Sequence, residues 1–278
     1  MITALLALAP LAANAQTNPA PAASANKGVV QARTQAEYDA YQAIKTKPQT
    51  PEEFEKAADE FATKFPDSNL RIVLYRGVMQ NYQRSDNADK MMSAGLKVLA
   101  LDQDDPEALI VVADVQEEHT TPMDLDRDER MDQVVANAQH ALQTIDTDLA
   151  VPAGAAPEHV EAYKNFLRST ALALIGKVQY KRQQYPDAEA TLRKALALQG
   201  SKPDPVVLLS LALSLDMEKK YPEALQEVNR AVDLTKEDSD TGDSARGERD
   251  RLLDETGASA AQKGTPSDIT PAATPSGN

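Results

Sequence analysis

The chain has 278 residues, a formal net charge of −14, 4% aromatic residues, no Trp and no Cys. Such a charge argues against a nucleic-acid partner, whose phosphates need a basic stripe, and against an anionic membrane surface. Without Cys there is no disulfide, no thiolate metal site and no lipid anchor through a thiol.

Taken in chain order, residues 2–11 are an apolar run too short to span a bilayer. Ala13-Asn14-Ala15 follows and reads as an A-x-A cleavage site, so residues 1–15 are expected to be a secretory signal cut after Ala15. The mature protein is then expected to be exported, periplasmic or secreted, with no membrane span. Residues 16–33, rich in Ala, Pro, Asn and Ser, carry no apolar period and are expected to be a disordered linker. The Gly, Ser, Thr and Pro of residues 256–278 predict a disordered tail for the same reason.

Residues 34–255 are expected to fold as helical hairpins. In the first, Tyr38 and Tyr41 lie on one helix, Thr50-Pro51 opens the next, and Phe54, Ala58, Phe61 and Phe65 line its face. First helices of later hairpins repeat an i, i+3, i+4, i+7 stripe: Tyr75, Val78, Met79 and Tyr82; Leu109, Val112, Ala113 and Gln116; Leu172, Ile175, Gly176 and Gln179; Leu208, Leu211, Ala212 and Leu215. The third position is Gly, Ala or a flexible Met, and Gly176 in particular is expected to admit a close approach by the helix at 186–199. Second helices carry a shorter stripe, as in Ala188, Leu192 and Ala195 and again in Ala224, Val228 and Ala231. Two breaks are expected, a lengthened turn at 119–127 and a spacer at 147–157. An apolar stripe through Val160, Tyr163, Leu167, Ala171, Leu174 and Val178 predicts one long helix near 157–183. Residues 239–255 predict a polar helix that shields the last hairpin.

YPDAEATLRKALAL at 185 and YPEALQEVNRAVDL at 221 are internal copies, 36 residues apart. ALALIGKVQYKRQQYPDAEATLRKALAL and LLSLALSLDMEKKYPEALQEVNRAVDL resemble tandem tetratricopeptide repeats, and YRGVMQNYQRSDNADKMMSAGLKVLALD resembles a third. FEKAADEFATKFPDSN is also similar to repeats of bacterial envelope proteins such as the lipoprotein of the outer-membrane β-barrel assembly machine, although the anchoring Cys is missing. The resemblance spans roughly 34–236. It implies an all-α, right-handed solenoid of about five hairpins with a C-terminal capping helix, whose first helices line a concave groove for a peptide or partner helix.

Counted from the large residue that opens each first helix, positions +1, +5, +8 and +9 turn away from the core stripe. They are Arg76, Gln80, Gln83 and Arg84; Ile110, Asp114, Glu117 and Glu118; Ala173, Lys177, Tyr180 and Lys181; and Leu209, Leu213, Asp216 and Met217. Of these, Arg76, Gln80, Arg84, Lys177, Tyr180 and Lys181 are the candidate partner-binding residues. The alternative is that Arg84 and Lys177 merely offset the acids between them. Arg76 and Gln80 stand where chaperone-binding members of the family carry the Lys and Asn of a carboxylate clamp.

Residues 102–132 hold twelve Asp or Glu against Arg127 and Arg130. Asp124, Asp126, Asp128 and Asp132 start like a calcium loop, but Glu129 replaces the turn Gly and Val135 replaces the closing Glu. A solvated acidic face is the expected reading. His119, His140 and His159 have no paired metal-ligand spacing, and no phosphate loop or nucleophile motif is present. No metal, no cofactor and no catalysis are expected. The expected function is a scaffold that docks a protein or peptide in the concave groove. The alternatives are an envelope-assembly component that uses its convex face and an acidic cation-binding protein.

Overall fold

The structure, a computed structural model, describes residues 30–257 except 48, 153 and 236–238. The expected signal, residues 16–29 of the expected linker and residues 258–278 of the expected tail lie outside the described residues. Val30 and Ala32 rest against the N-terminal core, so packing begins a few residues before position 34.

Among the described residues there are eleven helices and no strand. They are α1 (Gln35–Thr46), α2 (Pro51–Lys64), α3 (Leu70–Arg84), α4 (Ala88–Leu99), α5 (Pro106–His119), α6 (Arg127–Asp148), α7 (Pro157–Lys181), α8 (Tyr185–Gln199), α9 (Pro205–Met217), α10 (Tyr221–Leu234) and α11 (Asp240–Glu255). Their starts are written in the sequence. Thr50 and Glu53 form a reciprocal capping box on α2, and Asp105, Asp204 and Ser239 each accept a backbone N–H at the start of α5, α9 and α11. Proline occupies the first turn of α2, α5, α7, α8, α9 and α10, where no N–H partner is missed.

Each odd helix pairs with the next even one, giving five hairpins, and each hairpin packs on its neighbour. Three apolar clusters run along the stack, one through α2 to α5, one through α5 to α7 and one through α7 to α11. The last closes under α11, which buries Ala245 and Leu252 against the fifth hairpin. This is the all-helical hairpin array with a terminal cap that the sequence predicts.

The repeat is visible in the backbone as well. Three hairpin turns use the same three-bond ladder. Arg182, Gln183 and Gln184 donate to the carbonyls of Val178, Tyr180 and Gln179; Glu218, Lys219 and Lys220 donate to Ser214, Asp216 and Leu215; Ser85, Asp86 and Asn87 donate to Asn81, Gln83 and Tyr82. The middle residue of each turn takes positive φ, 54° at Asp86, 62° at Gln183 and 62° at Lys219. The last bond of each ladder is the 6→1 closure of a Schellman cap, which normally places Gly at its left-handed position. The third hairpin departs from this turn, with residues 120–126 between α5 and α6.

Helix α7 is long because it serves two neighbours. Leu167, Ala171, Leu174 and Val178 face α6, while Gly176 faces α8. A Cβ built on Gly176 would stand 2.7 Å from Leu192 Cγ, so the fully buried Leu192 side chain would have to shift. The close approach expected at Gly176 is therefore present. Gly176→Ala gains helix propensity of up to about 1 kcal/mol, but overpacking of about 1–3 kcal/mol outweighs it. The expected result is a lower urea midpoint, by roughly 1 kcal/mol of stability, and an equal or higher midpoint would count against the α7–α8 register.

Candidate functional site

Besides its hairpin partner, each later odd helix touches the next: α5 meets α7, α7 meets α9, and α9 meets α11. These helices therefore share one face. The register across it follows from polar contacts. Gln199 donates to Ser169 Oγ at 2.8 Å and accepts from the Asp204 N–H at 2.7 Å, which sets Ser169 of α7 level with the start of α9. By the 36-residue offset Ala173 and Leu209, Lys177 and Leu213, and Lys181 and Met217 are equivalent positions of successive hairpins. On the other side, Lys177 reaches Glu117 Oε2 at 3.0 Å and Lys181 reaches Glu117 Oε1 at 2.6 Å.

The six candidate binding residues have different fates. Arg76 is nearly buried and pairs with Asp105, itself the cap of α5, and more distantly with Asp102 at 3.7 Å. Gln80 and Arg84 are exposed, and Arg84 bonds Asn81 Oδ1 at 2.9 Å. Lys177 and Lys181 both hold Glu117, which is only 3% exposed. Burial pushes the Glu117 carboxyl up, and the two ammonium groups outweigh it, so its pKa falls below the usual range. Tyr180 is half-buried against the C-terminal core, with its ring 5.7 Å from that of Tyr185, and burial raises its pKa. Three of the six side chains thus already have charged protein partners.

The groups left facing out are different ones. Asp114, one turn before Glu117, makes no hydrogen bond or ion pair among the described residues, and the cation that acts on it most is Lys177. Burial raises its pKa in spite of that charge. Glu118 beside it is exposed. On the far side, α9 has no charged residue from 205 to 215. Val206 and Met217 are 38% and 47% exposed, and Leu209 and Leu213 between them are half-buried. At the N-terminal end of α7, Tyr163 and Phe166 stack with centroids 6.1 Å apart, Phe166 is mostly exposed, and the Tyr163 hydroxyl donates to Glu107 at 2.7 Å. The face therefore grades from carboxylates on α5, through two lysines that share Glu117, to an apolar stripe on α9.

A carboxyl whose pKa is raised in the native state costs stability as pH rises past its ordinary range. Asp114→Asn should accordingly stabilise the protein at pH 7, by up to about 1 kcal/mol, and the gain should vanish at acid pH. Melting curves of the two proteins at pH 7 and pH 4 check this; a lower midpoint for Asp114→Asn at pH 7 would contradict it.

The acidic stretch at 119–132 is a turn and a helix start. Asp124 accepts from Thr121, Asp126 pairs with Arg130, and Asp132 pairs with Arg182. Arg127 also donates to the Lys181 carbonyl at 2.8 Å, tying this turn to α7. Met123 and Leu125 project from it almost fully exposed.

Sequence reasoning placed Glu117 on the face but missed that it gathers both lysines. It also missed the Tyr163–Phe166 pair as a surface feature. Two aromatics three apart in a chain with 4% aromatics were the available signal.

No family model matches the chain, and no curated protein matches it. Among solved structures, the chain is similar to one described as "MamA RS-1 ArsTM double mutant", with 17% identity and a TM-score of 0.38, over 67% of this chain and 97% of that one. A likeness of that degree carries no functional argument. No helix among the described residues is long and apolar enough to cross a membrane.

Proposed function

We propose that the chain is a non-catalytic scaffold that docks a partner protein or peptide on the face shared by α5, α7 and α9. The observation that carries this reading is α9. It is uncharged for three turns in a chain that is 26% charged, yet its outward stripe is left half open. Solvent-facing helix surfaces are ordinarily polar, and an apolar stripe left half open on one marks an interaction surface. The resemblance to tetratricopeptide repeats supports the same face. The apolar run and Ala13-Asn14-Ala15 support an exported, periplasmic or secreted location.

A second reading, an envelope assembly, places the interaction on the turn between α5 and α6, at the end of these helices and off the face they share. Met123 and Leu125 favour it, being apolar, exposed and held on a braced turn. Affinity capture from the exported fraction separates the two. Val206→Gln with Met217→Gln keeps good helix formers on α9, and Met123→Ser with Leu125→Ser alters only the turn. The first pair is expected to lose the captured partner and the second to keep it. The reverse pattern would move the function to the turn.

A further inference from the structure

We infer that the occupant of this face is an amphipathic helix of a partner protein, with its apolar side on α9 and its Lys or Arg flank turned toward Asp114 and Glu118 of α5. This rests on the docking reading above and adds the chemistry of the partner.

Charge sets the sign. The lysines on the face, Lys177 and Lys181, look at first like a site for an acidic ligand. Both are taken by Glu117, at 3.0 and 2.6 Å. What remains beside them is Asp114, without a partner among the described residues, and exposed Glu118. On α9, Asp216 is already paired with Arg251. An acidic partner would have to share both lysines with Glu117 and meet Asp114 and Glu118 besides. A basic partner displaces nothing, and its ammonium or guanidinium neutralises a carboxylate that burial otherwise penalises.

Dimensions set the shape. From Val206 to Met217 the stripe rises about 16 Å, which is about three helical turns. Adjacent helix axes lie about 8–10 Å apart, so the acidic border on α5 stands roughly 16–20 Å from the apolar border on α9, with α7 as the floor between them. A helix of about 10–12 Å diameter over α7 leaves a few ångströms to each border, and a long Lys or Arg stem spans that gap.

The test uses the full chain and three designed 18-residue peptides carrying a fluorophore and a photo-crosslinking residue. One is a Leu/Lys amphipathic helix, one its Leu/Glu counterpart, and one a Leu/Lys scramble without an apolar face. The Leu/Lys helix is expected to bind, to crosslink to α5, α7 and α9, and to weaken about tenfold on Asp114→Asn with Glu118→Gln and again on Val206→Gln with Met217→Gln. Raising salt from 50 to 300 mM should weaken it severalfold. The scramble should not compete. Stronger binding of the Leu/Glu helix at the same three helices would overturn the partner chemistry and leave the docking face standing. Crosslinks confined to α6, α8 and α10 would overturn the face as well. Binding of the Leu/Lys helix only after removal of residues 258–278 would give the face to the chain's own tail and overturn the inference, as would no binding in any form.

Discussion

Arg76→Ala is expected to destabilise the protein by roughly 3–5 kcal/mol, the range for breaking a buried ion pair by removing one partner. Arg76 and Asp105 have side chains only 14% and 1% exposed. Asp105 also accepts the Ala108 N–H at 2.9 Å and so caps α5. Removing the guanidinium strands a carboxylate at the junction of the second and third hairpins, where it cannot reach water. The capping bond offsets only a part of that cost, about 1 kcal/mol. Arg76→Ala combined with Asp105→Ser removes the stranded charge and keeps a cap. The double variant should therefore lose less than the sum of the two single ones, a coupling that urea midpoints read directly. An Arg76→Ala midpoint equal to wild type would show that the junction does not depend on this pair.

Lys177→Ala with Lys181→Ala should cost about 2–3 kcal/mol, below the figure for a fully buried pair because both lysines remain partly wet. Position on the outward face alone would suggest a small cost. The reason for the larger one is Glu117, buried at the α5–α7 contact and left without a cation. The pH dependence follows from its lowered pKa. The pair's contribution is present above about 4.5, the ordinary value for Glu, and is lost as pH falls through the lower native value. The wild type should therefore lose its advantage over the double variant on acidification. Melts from pH 7 to pH 3 measure this; parallel curves across that range would contradict it. In partner capture these two lysines should act through stability and through the shape of the face, with little direct charge contact.

The fold was legible because each hairpin is closed locally. The stripes through Ala188, Leu192 and Ala195 and through Ala224, Val228 and Ala231 are all buried, and the 36-residue echo reappears as matching positive-φ turns at Gln183 and Lys219. Capping residues such as Thr50, Asp105 and Asp204 act within three residues of themselves, so their roles can be read from the sequence. The site was less legible because charge pairing runs between hairpins. Arg76 meets Asp105 across 29 residues, and Lys177 meets Glu117 across 60. A periodic pattern tells which side chains turn outward. It does not tell which outward side chains meet, and that decides whether the face is basic or acidic. The long α7 shows the same limit. Its stripe through Leu172, Ile175, Gly176 and Gln179 was plain, but Leu172 and Ile175 proved only half-buried, because α7 divides its contacts between α6 and α8.

Oxidative footprinting of the captured complex tests the docking face most directly, because the chain carries a methionine reporter on each competing surface. Met217 ends the apolar stripe of α9, and Met123 stands on the turn between α5 and α6, 47% and 90% exposed. Both should oxidise in the free protein. In the complex Met217 is expected to be protected several-fold while Met123 oxidises at its free rate. Protection of Met123 with Met217 unchanged would contradict the account and place the partner on the α5–α6 turn.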